Sequence, residues 1–322
     1  MSEHHFITGV AGFIGSHLAD ALLLEGCSVS GVDDLSLGCE ENLHLAMSTG
    51  RFHLERGDLR ETAEAERTLR SAIEHFGPVE RVWHLAANSD IAAGVADARI
   101  DLGRTLLTTF SVIEACKTVG VSRVAFASTS AVYGENDRLL VEDSGPLLPI
   151  SNYGATKLAS EALLSAAAES HLERIWIFRF PNVVGSRATH GAIHDFVKRL
   201  RDRPAALRVL GDGTQRKPYL HVGELVSAMR RIVNESHEKR NVFNIGPEGG
   251  GSLVSFLALE TIARVAPGTP IEYGGGDRGW IGDVPRFRYS TEKLKQLGWS
   301  PRLSSDDAVR KAIAEIAFDH GF

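Results

Sequence analysis

Short apolar runs alternate with amphipathic stretches over the first 180 residues of the chain. The first run, Phe6-Ile7, ends in a glycine-rich loop, and the apolar residues that follow recur at helical spacing as far as Gly26. The pattern predicts further strands at Val29–Val32, Arg51–Leu54, Arg81–Leu85, Val121–Ala127 and Ile175–Phe180, and helices at Glu61–Phe76, Ile100–Val119 and Asn152–Ser170. Strands that alternate with helices in this way predict an α/β fold with an open, mostly parallel sheet covered by helices on both faces.

Beyond Pro181 the alternation weakens, and glycine and proline residues cluster. This change predicts a smaller, interleaved α/β lobe carried on the sheet. We expect a first domain of residues 1–180 with a return excursion at about 217–246, and a lobe built from 181–216 and 247–322. Ser304 or Ser305 can cap a final helix that runs to about Phe318.

The loop after the first strand has the residues that a dinucleotide site requires. Gly9 permits a tight turn, Gly12 permits close approach of backbone N–H groups to a pyrophosphate, and Gly15 lets the following helix pack against the strand. The second strand ends at Asp33, whose carboxylate can accept hydrogen bonds from an adenosine ribose. The order of strand, glycine loop, helix, strand and acid predicts a Rossmann-type doubly wound sheet that binds a dinucleotide.

The same segment favours NAD over NADP. Asp33 and Asp34 together would repel a 2′-phosphate, and no Arg or Lys lies between Gly9 and Gly38.

Composition excludes several classes of protein. The 322 residues are 43% hydrophobic and 24% charged with a net charge of −6, which argues against a nucleic-acid or anionic-membrane surface. The cysteines, Cys27, Cys39 and Cys116, are far apart, so we expect no disulfide framework, no metal site and a reducing cytoplasm. The first strand begins too early to leave room for a signal peptide, and no apolar run is long enough to span a bilayer.

Tyr153 and Lys157 lie four residues apart on one predicted helix, and therefore on one face. A free tyrosine has a pKa of about 10, so a base near neutrality needs its pKa lowered by about 3 units, or about 4 kcal/mol. A neighbouring ammonium and an oxidised nicotinamide ring could together supply this stabilisation. A surface Tyr/Lys pair without function is the alternative.

Hydroxyl groups follow the strand that ends at Ala127. Thr129 lies 24 residues before Tyr153, in the segment Ser128-Thr129-Ser130, and its hydroxyl could share a hydrogen bond with a reacting alcohol. In an open α/β sheet, ligands bind at this edge. Taken alone, the segment also fits an ordinary Ser/Thr turn.

These features together resemble the extended short-chain dehydrogenase/reductases, and among them the nucleotide-sugar epimerases of the UDP-glucose 4-epimerase group. The motifs that carry the resemblance are TGVAGFIG, VDDLS, GDLRE, HLAA, STSAVYG, YGATK, FPNVVG and GDGTQRKPYLHV, which span most of the chain. The resemblance implies NAD as cofactor, a nucleotide-diphosphate sugar as substrate, and a homodimer formed through the helices at Arg104–Val119 and Asn152–Ser170.

The resemblance also implies roles for individual residues. NAD would contact Gly9, Gly12, Phe13, Ile14, Gly15, Asp33, Asp58, Leu59, Leu85, Ala86, Ala87, Ser128, Tyr153, Lys157 and Phe180. The catalytic group would be Thr129, Tyr153 and Lys157. The sugar nucleotide would contact Ser89, Thr129, Asn182, Lys217 and Arg278.

The chain departs from the family pattern at two places. Relatives often carry Asn in a segment like NVxGT, where this chain has Thr105-Leu106-Leu107-Thr108-Thr109. Where many relatives have Arg after the GDG loop, this chain has Arg216-Lys217-Pro218. Lys neutralises phosphate as a point charge but lacks the bidentate fork of Arg.

The residues after Thr129 bear on the reaction. The resemblance implies that 4,6-dehydratases carry Asp-Glu directly after this Thr and that decarboxylating relatives carry Glu two positions after it. Here Ser130 and Ala131 follow, and neither side chain is an acid or base at neutral pH. Without such an acid or base, the reaction that remains is oxidation of the sugar followed by return of the same hydride. This sequence of steps is epimerisation at C4.

Other functions stay open on the sequence alone. UDP-glucose/UDP-galactose is the default substrate, with UDP-glucuronate, an N-acetylhexosamine or a GDP or CDP sugar as alternatives. Arg187 and His190 could bind a carboxylate or simply face water. A sugar dehydrogenase or reductase that releases NADH, and a non-catalytic dinucleotide sensor, are the other two classes.

Overall fold

The computed structural model describes residues 2–136, 138–202, 205–247, 249–276, 278–279 and 288–322. The strands are β1 (His4–Thr8), β2 (Ser28–Asp33), β3 (Phe52–Arg56), β4 (Arg81–His84), β5 (Arg123–Thr129), β6 (Leu139–Leu140), β7 (Arg174–Phe180), β8 (Asn182–Val184), β9 (Leu207–Val209), β10 (Arg216–Lys217), β11 (Tyr219–His221), β12 (Arg240–Asn244), β13 (Ser252–Leu253), β14 (Ile271–Tyr273) and β15 (Arg288–Tyr289).

The helices are α1 (Phe13–Leu24), α2 (His44–Met47), α3 (Thr62–Phe76), α4 (Ile91–Ala96), α5 (Ala98–Asp101), α6 (Thr108–Val119), α7 (Asn152–Ala167), α8 (Ala192–Arg201), α9 (Val222–Glu235), α10 (Val254–Val265), α11 (Glu292–Gln296) and α12 (Ser305–Asp319). Short 3₁₀ segments occupy Glu40–Leu43 and Ser130–Tyr133, and a π-helical segment, Leu102–Leu107, joins α5 to α6.

A seven-stranded sheet in the order β3-β2-β1-β4-β5-β7-β12 forms the centre of the molecule, and its paired strands are all parallel. Its middle strands are buried on both faces, because helices cover the sheet on each side. The fold class predicted from the sequence, a doubly wound α/β sheet, is therefore confirmed.

The order of the strands reverses between β1 and β4. Chain connections run outward in opposite directions from these two strands, so a crevice opens at their carboxyl ends. Gly9 follows β1, and Leu85 follows β4. The residues predicted to bind a cofactor thus lie at the position where open α/β sheets bind ligands.

The predicted helix at Ile100–Val119 is divided in the structure. Its first residues belong to α5, the π-helical segment follows, and α6 completes it. The sequence prediction missed α4, which has six residues and begins at Ile91. Asp90 is its N-cap, and the carboxylate of Asp90 accepts a hydrogen bond from the N–H of Ala93 at 3.0 Å. A helix of this length is too short to show a hydrophobic period.

The chain after Pro181 returns once to the central sheet, where β12 pairs with β7 in parallel. Other elements of this half pack around a separate hydrophobic core, whose largest buried side chains include Phe196, Leu200, Tyr219, Leu257 and Ile313. No helix in the described part of the chain is both long enough and apolar enough to cross a membrane.

Candidate active site

The glycine loop is shaped by contacts that exclude any side chain. Gly9 has a φ of +70°, and a Cβ there would lie 2.9 Å from the backbone nitrogen of Ala86, at the end of β4. A Cβ on Gly15 would lie 2.1 Å from the carbonyl oxygen of Gly9. The loop therefore packs directly against α1 and against the neighbouring strand end.

The N-terminus of α1 opens onto the crevice. The helix begins at Phe13 with Gly12 as its N-cap, and no side chain in the described part of the chain caps it. Its first N–H groups therefore remain available to an anion, and the helix dipole favours negative charge at the same point. This cradle fits the pyrophosphate of a dinucleotide.

Asp33 ends β2 beside this loop. Its carboxylate accepts hydrogen bonds from the N–H groups of Ala11 at 2.9 Å and Leu35 at 2.8 Å. Burial raises the pKa of Asp33, and these two hydrogen bonds lower it. The carboxylate is thus fixed at the strand end, where an adenosine ribose would meet it.

Two arginines that the sequence analysis missed also line this end of the crevice. Arg60 pairs with Asp58, with 2.5 Å between Nη2 and Oδ2, and Arg104 donates a hydrogen bond to the hydroxyl of Ser36 at 2.9 Å. The absence of Arg and Lys between Gly9 and Gly38 therefore does not keep cations away from this region. Both arginines come from segments distant in sequence, and both have partners.

Thr129, Tyr153 and Lys157 converge at the other end of the crevice. Thr129 is the last residue of β5, and its hydroxyl forms a hydrogen bond with the phenol of Tyr153. Tyr153 stands in the first turn of α7, which Ser151 caps by accepting a hydrogen bond from the N–H of Gly154 at 3.1 Å. The Lys157 ammonium lies 6.0 Å from the centre of the Tyr153 ring.

Burial opposes ionisation of both side chains. It raises the pKa of Tyr153 to about 12, and the negative charge of Asp101 acts in the same direction while the Thr129 hydrogen bond acts against it. Burial lowers the pKa of Lys157 to about 7, against the attraction of Glu161 and Asp101. A tyrosine that acts as a base near neutral pH needs a lowered pKa, and the protein chain alone does not provide it. The additional positive charge that lowers the pKa of Tyr153 must come from a bound group.

A second charged network lies beneath this pair. Glu161, one turn beyond Lys157, forms an ion pair with Arg179 at 2.6 Å, and both side chains are only 6% exposed. Glu161 also accepts a hydrogen bond from the hydroxyl of Ser128. The network ties α7 to the ends of β5 and β7, and so holds Thr129 and Lys157 at fixed positions.

One cavity of about 810 Å³ joins the loop, the tyrosine and the lobe. Its wall contains nearly all the residues predicted to contact cofactor or substrate: Gly9, Gly12, Phe13, Ile14, Gly15, Asp33, Asp58, Leu59, Leu85, Ala86, Ala87, Ser89, Ser128, Thr129, Tyr153, Lys157, Phe180, Asn182 and Lys217. The volume is at the upper end of the range for small-molecule sites.

Two arginines that the sequence suggested as substrate contacts do not line this cavity. Arg278 is exposed and outside the cavity wall, and its guanidinium pairs with the carboxylate of Glu135 at 2.8 Å. Arg187 also lies outside this wall, because it pairs with Asp20 of α1 at 2.8 Å and lines a smaller adjoining cavity of about 370 Å³. His190 does line the large cavity.

Comparison with known proteins agrees with this geometry. Residues 5–246 match the family described as NAD dependent epimerase/dehydratase. The chain is 29% identical over 313 residues to a UDP-glucose 4-epimerase of Mycolicibacterium smegmatis, covering 95% of this chain and 96% of the relative.

Two solved structures are similar over nearly the whole length. A Thermotoga maritima UDP-glucose 4-epimerase with UDP-glucose has a TM-score of 0.84 at 27% identity, with 98% of this chain and 99% of that chain covered. A Bacillus cereus UDP-glucuronic acid 4-epimerase, in complex with UDP-glucuronic acid and NAD, has a TM-score of 0.83 at 26% identity, with 97% and 98% covered. The glycine cradle, the Thr129–Tyr153–Lys157 group and the match over three-quarters of its length place this chain in the NAD dependent epimerase/dehydratase family.

Proposed function

We propose that the chain is an NAD-dependent 4-epimerase of a nucleotide-diphosphate sugar, with UDP-glucose and UDP-galactose as its substrate pair. The observation that carries this proposal is the placement of Thr129, Tyr153 and Lys157 in one cavity with the glycine cradle. Ser130 and Ala131 follow Thr129 and supply no further acid or base for dehydration or decarboxylation.

The roles of the side chains follow from their positions. Tyr153 takes the proton of the C4 hydroxyl, and Thr129 orients that hydroxyl through the hydrogen bond it shares with the phenol. NAD, when bound, supplies the hydride acceptor and later the hydride donor at C4. Lys157 would hold the ribose of bound NAD and, as an ammonium, stabilise the phenolate.

Epimerisation further requires that the sugar ring turn over while its nucleotide stays bound. Asn182, the first residue of β8, and Lys217, the last residue of β10, line the cavity. The side-chain amide of Asn182 lies 3.5 Å from the carbonyl oxygen of Pro218, so the two segments are in contact. We assign the diphosphate to this side and leave the hexose next to Tyr153.

The chemistry of the sugar end favours a neutral hexose over a glucuronate. Asp90, Asp195 and His190 line the cavity, and the nearby Arg187 is paired with Asp20 outside it. Two carboxylates would repel the carboxylate of a uronic acid. UDP-glucuronate is the second candidate, since the similar Bacillus cereus structure holds that sugar.

A panel of nucleotide sugars tests the proposal. The purified protein, supplied with NAD, is incubated with UDP-glucose, UDP-galactose, UDP-glucuronate and UDP-N-acetylglucosamine, and the products are separated as epimers. We expect interconversion of UDP-glucose and UDP-galactose without accumulation of NADH. Steady NADH formation would instead indicate a dehydrogenase, and NAD binding without turnover of any sugar would indicate a sensor.

We also propose a homodimer in the cytoplasm. Leu102 and Leu107 on the π-helical segment are 46% and 44% exposed, and Phe110 on α6 is 47% exposed. Ala155 and Ala162 are exposed on α7. A second copy could cover this apolar face. The cysteines are free thiols, as in a reducing compartment. Light scattering of the native protein and of a Phe110→Glu variant tests the dimer, which the variant should weaken.

A further inference from the structure

A fully buried carboxylate without a complete set of partners lies behind the Tyr153/Lys157 pair. Asp101, the last residue of α5, is 0% exposed. Its Oδ1 accepts a hydrogen bond from the side-chain amide of Asn88 at 2.8 Å. Its Oδ2 is buried and has no hydrogen-bond partner in the part of the chain that the structure describes. Such an oxygen is costly to bury, so its position calls for a reason.

The surrounding backbone leaves space for this side chain. A Cβ on Gly94 would lie 1.9 Å from Oδ2 of Asp101, so only glycine lets α4 lie against the carboxylate. The carbonyl oxygen of Gly94 accepts a hydrogen bond from the side-chain amide of Asn152 at 3.0 Å. Asp101 therefore lies where α4 and α5 meet the residue that directly precedes Tyr153.

Asp101 also fixes the turn on the sugar side of the cavity. Its partner Asn88 donates from its side chain to the carbonyl oxygen of Asp90 at 2.8 Å, and its backbone N–H donates to the hydroxyl of Thr105 at 3.1 Å. Ser89, a predicted substrate contact, lies between Asn88 and Asp90 and lines the cavity. The position of this turn thus depends on the Asp101–Asn88 hydrogen bond.

The charges around the pair give Asp101 a second effect. Its negative charge raises the pKa of Tyr153 and raises that of Lys157. Burial itself raises the pKa of Asp101, and the charge of Lys157 and the Asn88 hydrogen bond lower it.

The other charged or titratable groups near the pair are Glu161 on α7, which is paired with Arg179 of β7, His84 at the end of β4, and Asp90 at the start of α4. Burial lowers the pKa of His84 to about 3, so its imidazole is neutral. Unlike Glu161, Asp101 forms no ion pair among the described residues, so its charge is not cancelled at close range.

We propose that Asp101 is a positioning residue that holds the Asn88–Asp90 turn against the sugar and sets the charge state of the Tyr153/Lys157 pair. This role rests on the epimerase function proposed above. The carboxylate favours the ammonium over the amine at Lys157 and the phenol over the phenolate at Tyr153. Both ionisations consequently occur at higher pH than they would without it.

The test compares Asp101→Asn with Asp97→Asn. Asp97 is half-buried, caps α5 by accepting a hydrogen bond from the N–H of Arg99, and forms an ion pair with the side chain of Arg99. Asn can also cap a helix, so Asp97→Asn removes one negative charge from the same region without touching the Tyr153/Lys157 pair. For Asp101→Asn we expect both limbs of the pH profile of kcat/KM to move to lower pH, by about 0.5 to 1 unit, with a smaller change in the KM for the sugar nucleotide, because the amide oxygen can still accept the hydrogen bond from Asn88. For Asp97→Asn neither limb should move. If neither limb of the pH profile moves in Asp101→Asn, the charge of Asp101 does not set the charge state of the Tyr153/Lys157 pair, and the proposal is overturned.

A second measurement does not depend on the substrate. The phenolate absorbance of the NAD-bound protein is titrated with base, and the same titration of Tyr153→Phe is subtracted to isolate Tyr153. Asp101→Asn should lower the midpoint of this difference titration, and an unchanged midpoint would overturn the proposal. If the midpoint moves but no sugar is epimerised, the proposed function fails and the role of Asp101 stands. If Asp101→Asn does not fold, Asp101→Ser, which keeps an acceptor for Asn88, takes its place in both experiments.

Discussion

The ammonium of Lys157 lies one helical turn from Tyr153 and donates its hydrogen bond, at 2.6 Å, to the carbonyl oxygen of Ala127 rather than to the phenol. It therefore acts on Tyr153 through space, over the 6.0 Å between its nitrogen and the ring centre. Burial holds the pKa of Tyr153 at about 12 and that of Lys157 at about 7. A positive charge beside the phenol is needed to lower the pKa of Tyr153 into the working range.

Replacing Tyr153 by Phe should remove the base and leave the fold unchanged. We expect kcat for epimerisation to fall by about 100-fold or more, because proton transfer by a positioned side chain contributes at least that much. The affinity for NAD, measured by calorimetry, should change by no more than about tenfold, since the lost hydroxyl contributes at most one hydrogen bond. Tyr273→Phe, an exposed position outside the cavity wall, is the matched control. Activity close to wild type in Tyr153→Phe would show that another group is the base.

Lys157→Met should make the NAD-free protein more stable at neutral pH and less active. The pKa of Lys157 is lower in the folded chain than in the unfolded chain, so the unfolded chain binds more protons between about pH 7 and pH 10. Folding of the wild type is therefore penalised at low pH, and the penalty disappears as the pH rises through this window.

The variant lacks this group, so its advantage in the free energy of unfolding should reach at most about 4 kcal/mol near pH 7 and shrink towards pH 10. Asp101 and Glu161 lose a cation in the variant, which reduces the gain. Denaturant unfolding at several pH values measures the difference in the free energy of unfolding between the variant and the wild type. A constant difference across that range would contradict the lowered pKa.

Gly15→Ala should abolish NAD binding. The added methyl group would lie 2.1 Å from the carbonyl oxygen of Gly9, a backbone atom, so either α1 or the loop must move. Gly275→Ala adds the same methyl group where no atom of the described residues lies within 4 Å, and should bind NAD as the wild type does. Calorimetric titration with NAD compares the two. Equal affinities would show that the pyrophosphate lies elsewhere.

Lys217 should contribute to binding of the sugar nucleotide but not to chemistry. Lys217→Met is expected to raise KM by about tenfold or more with a smaller change in kcat, because a phosphate would lose a buried cation. Lys217→Arg keeps the charge and should restore most of the affinity. An unchanged KM in Lys217→Met would show that Lys217 does not bind the diphosphate.

The sequence predicted the family and the fold class, and both are confirmed. Those predictions succeeded because the glycine loop, the strand that follows and Asp33 lie within one short segment, where spacing alone determines geometry. Thr129 and Tyr153 are likewise placed by the end of one strand and the start of one helix. The division into domains and the roles of the individual site residues remain predictions.

Features that depend on contacts between distant segments could not be predicted. Arg60 reaches the adenosine end of the crevice from the loop between β3 and α3, and Arg104 reaches it from the π-helical segment before α6. Both lie far along the chain from the glycine loop. Arg187 pairs with Asp20 across the two halves of the chain, and the burial of Asp101 depends on Gly94. The upward shift in the pKa of Tyr153 arises from burial, which residue spacing does not report.

Return of the hydride to the carbon from which it came can be followed directly with UDP-glucose that carries deuterium at C4. The protein with NAD is allowed to convert this substrate in ordinary water, and the UDP-galactose is analysed by mass spectrometry and NMR. Transient oxidation next to Tyr153 predicts that the deuterium remains on C4 of the product. Its replacement by hydrogen from the solvent would contradict hydride return, and with it the proposed mechanism.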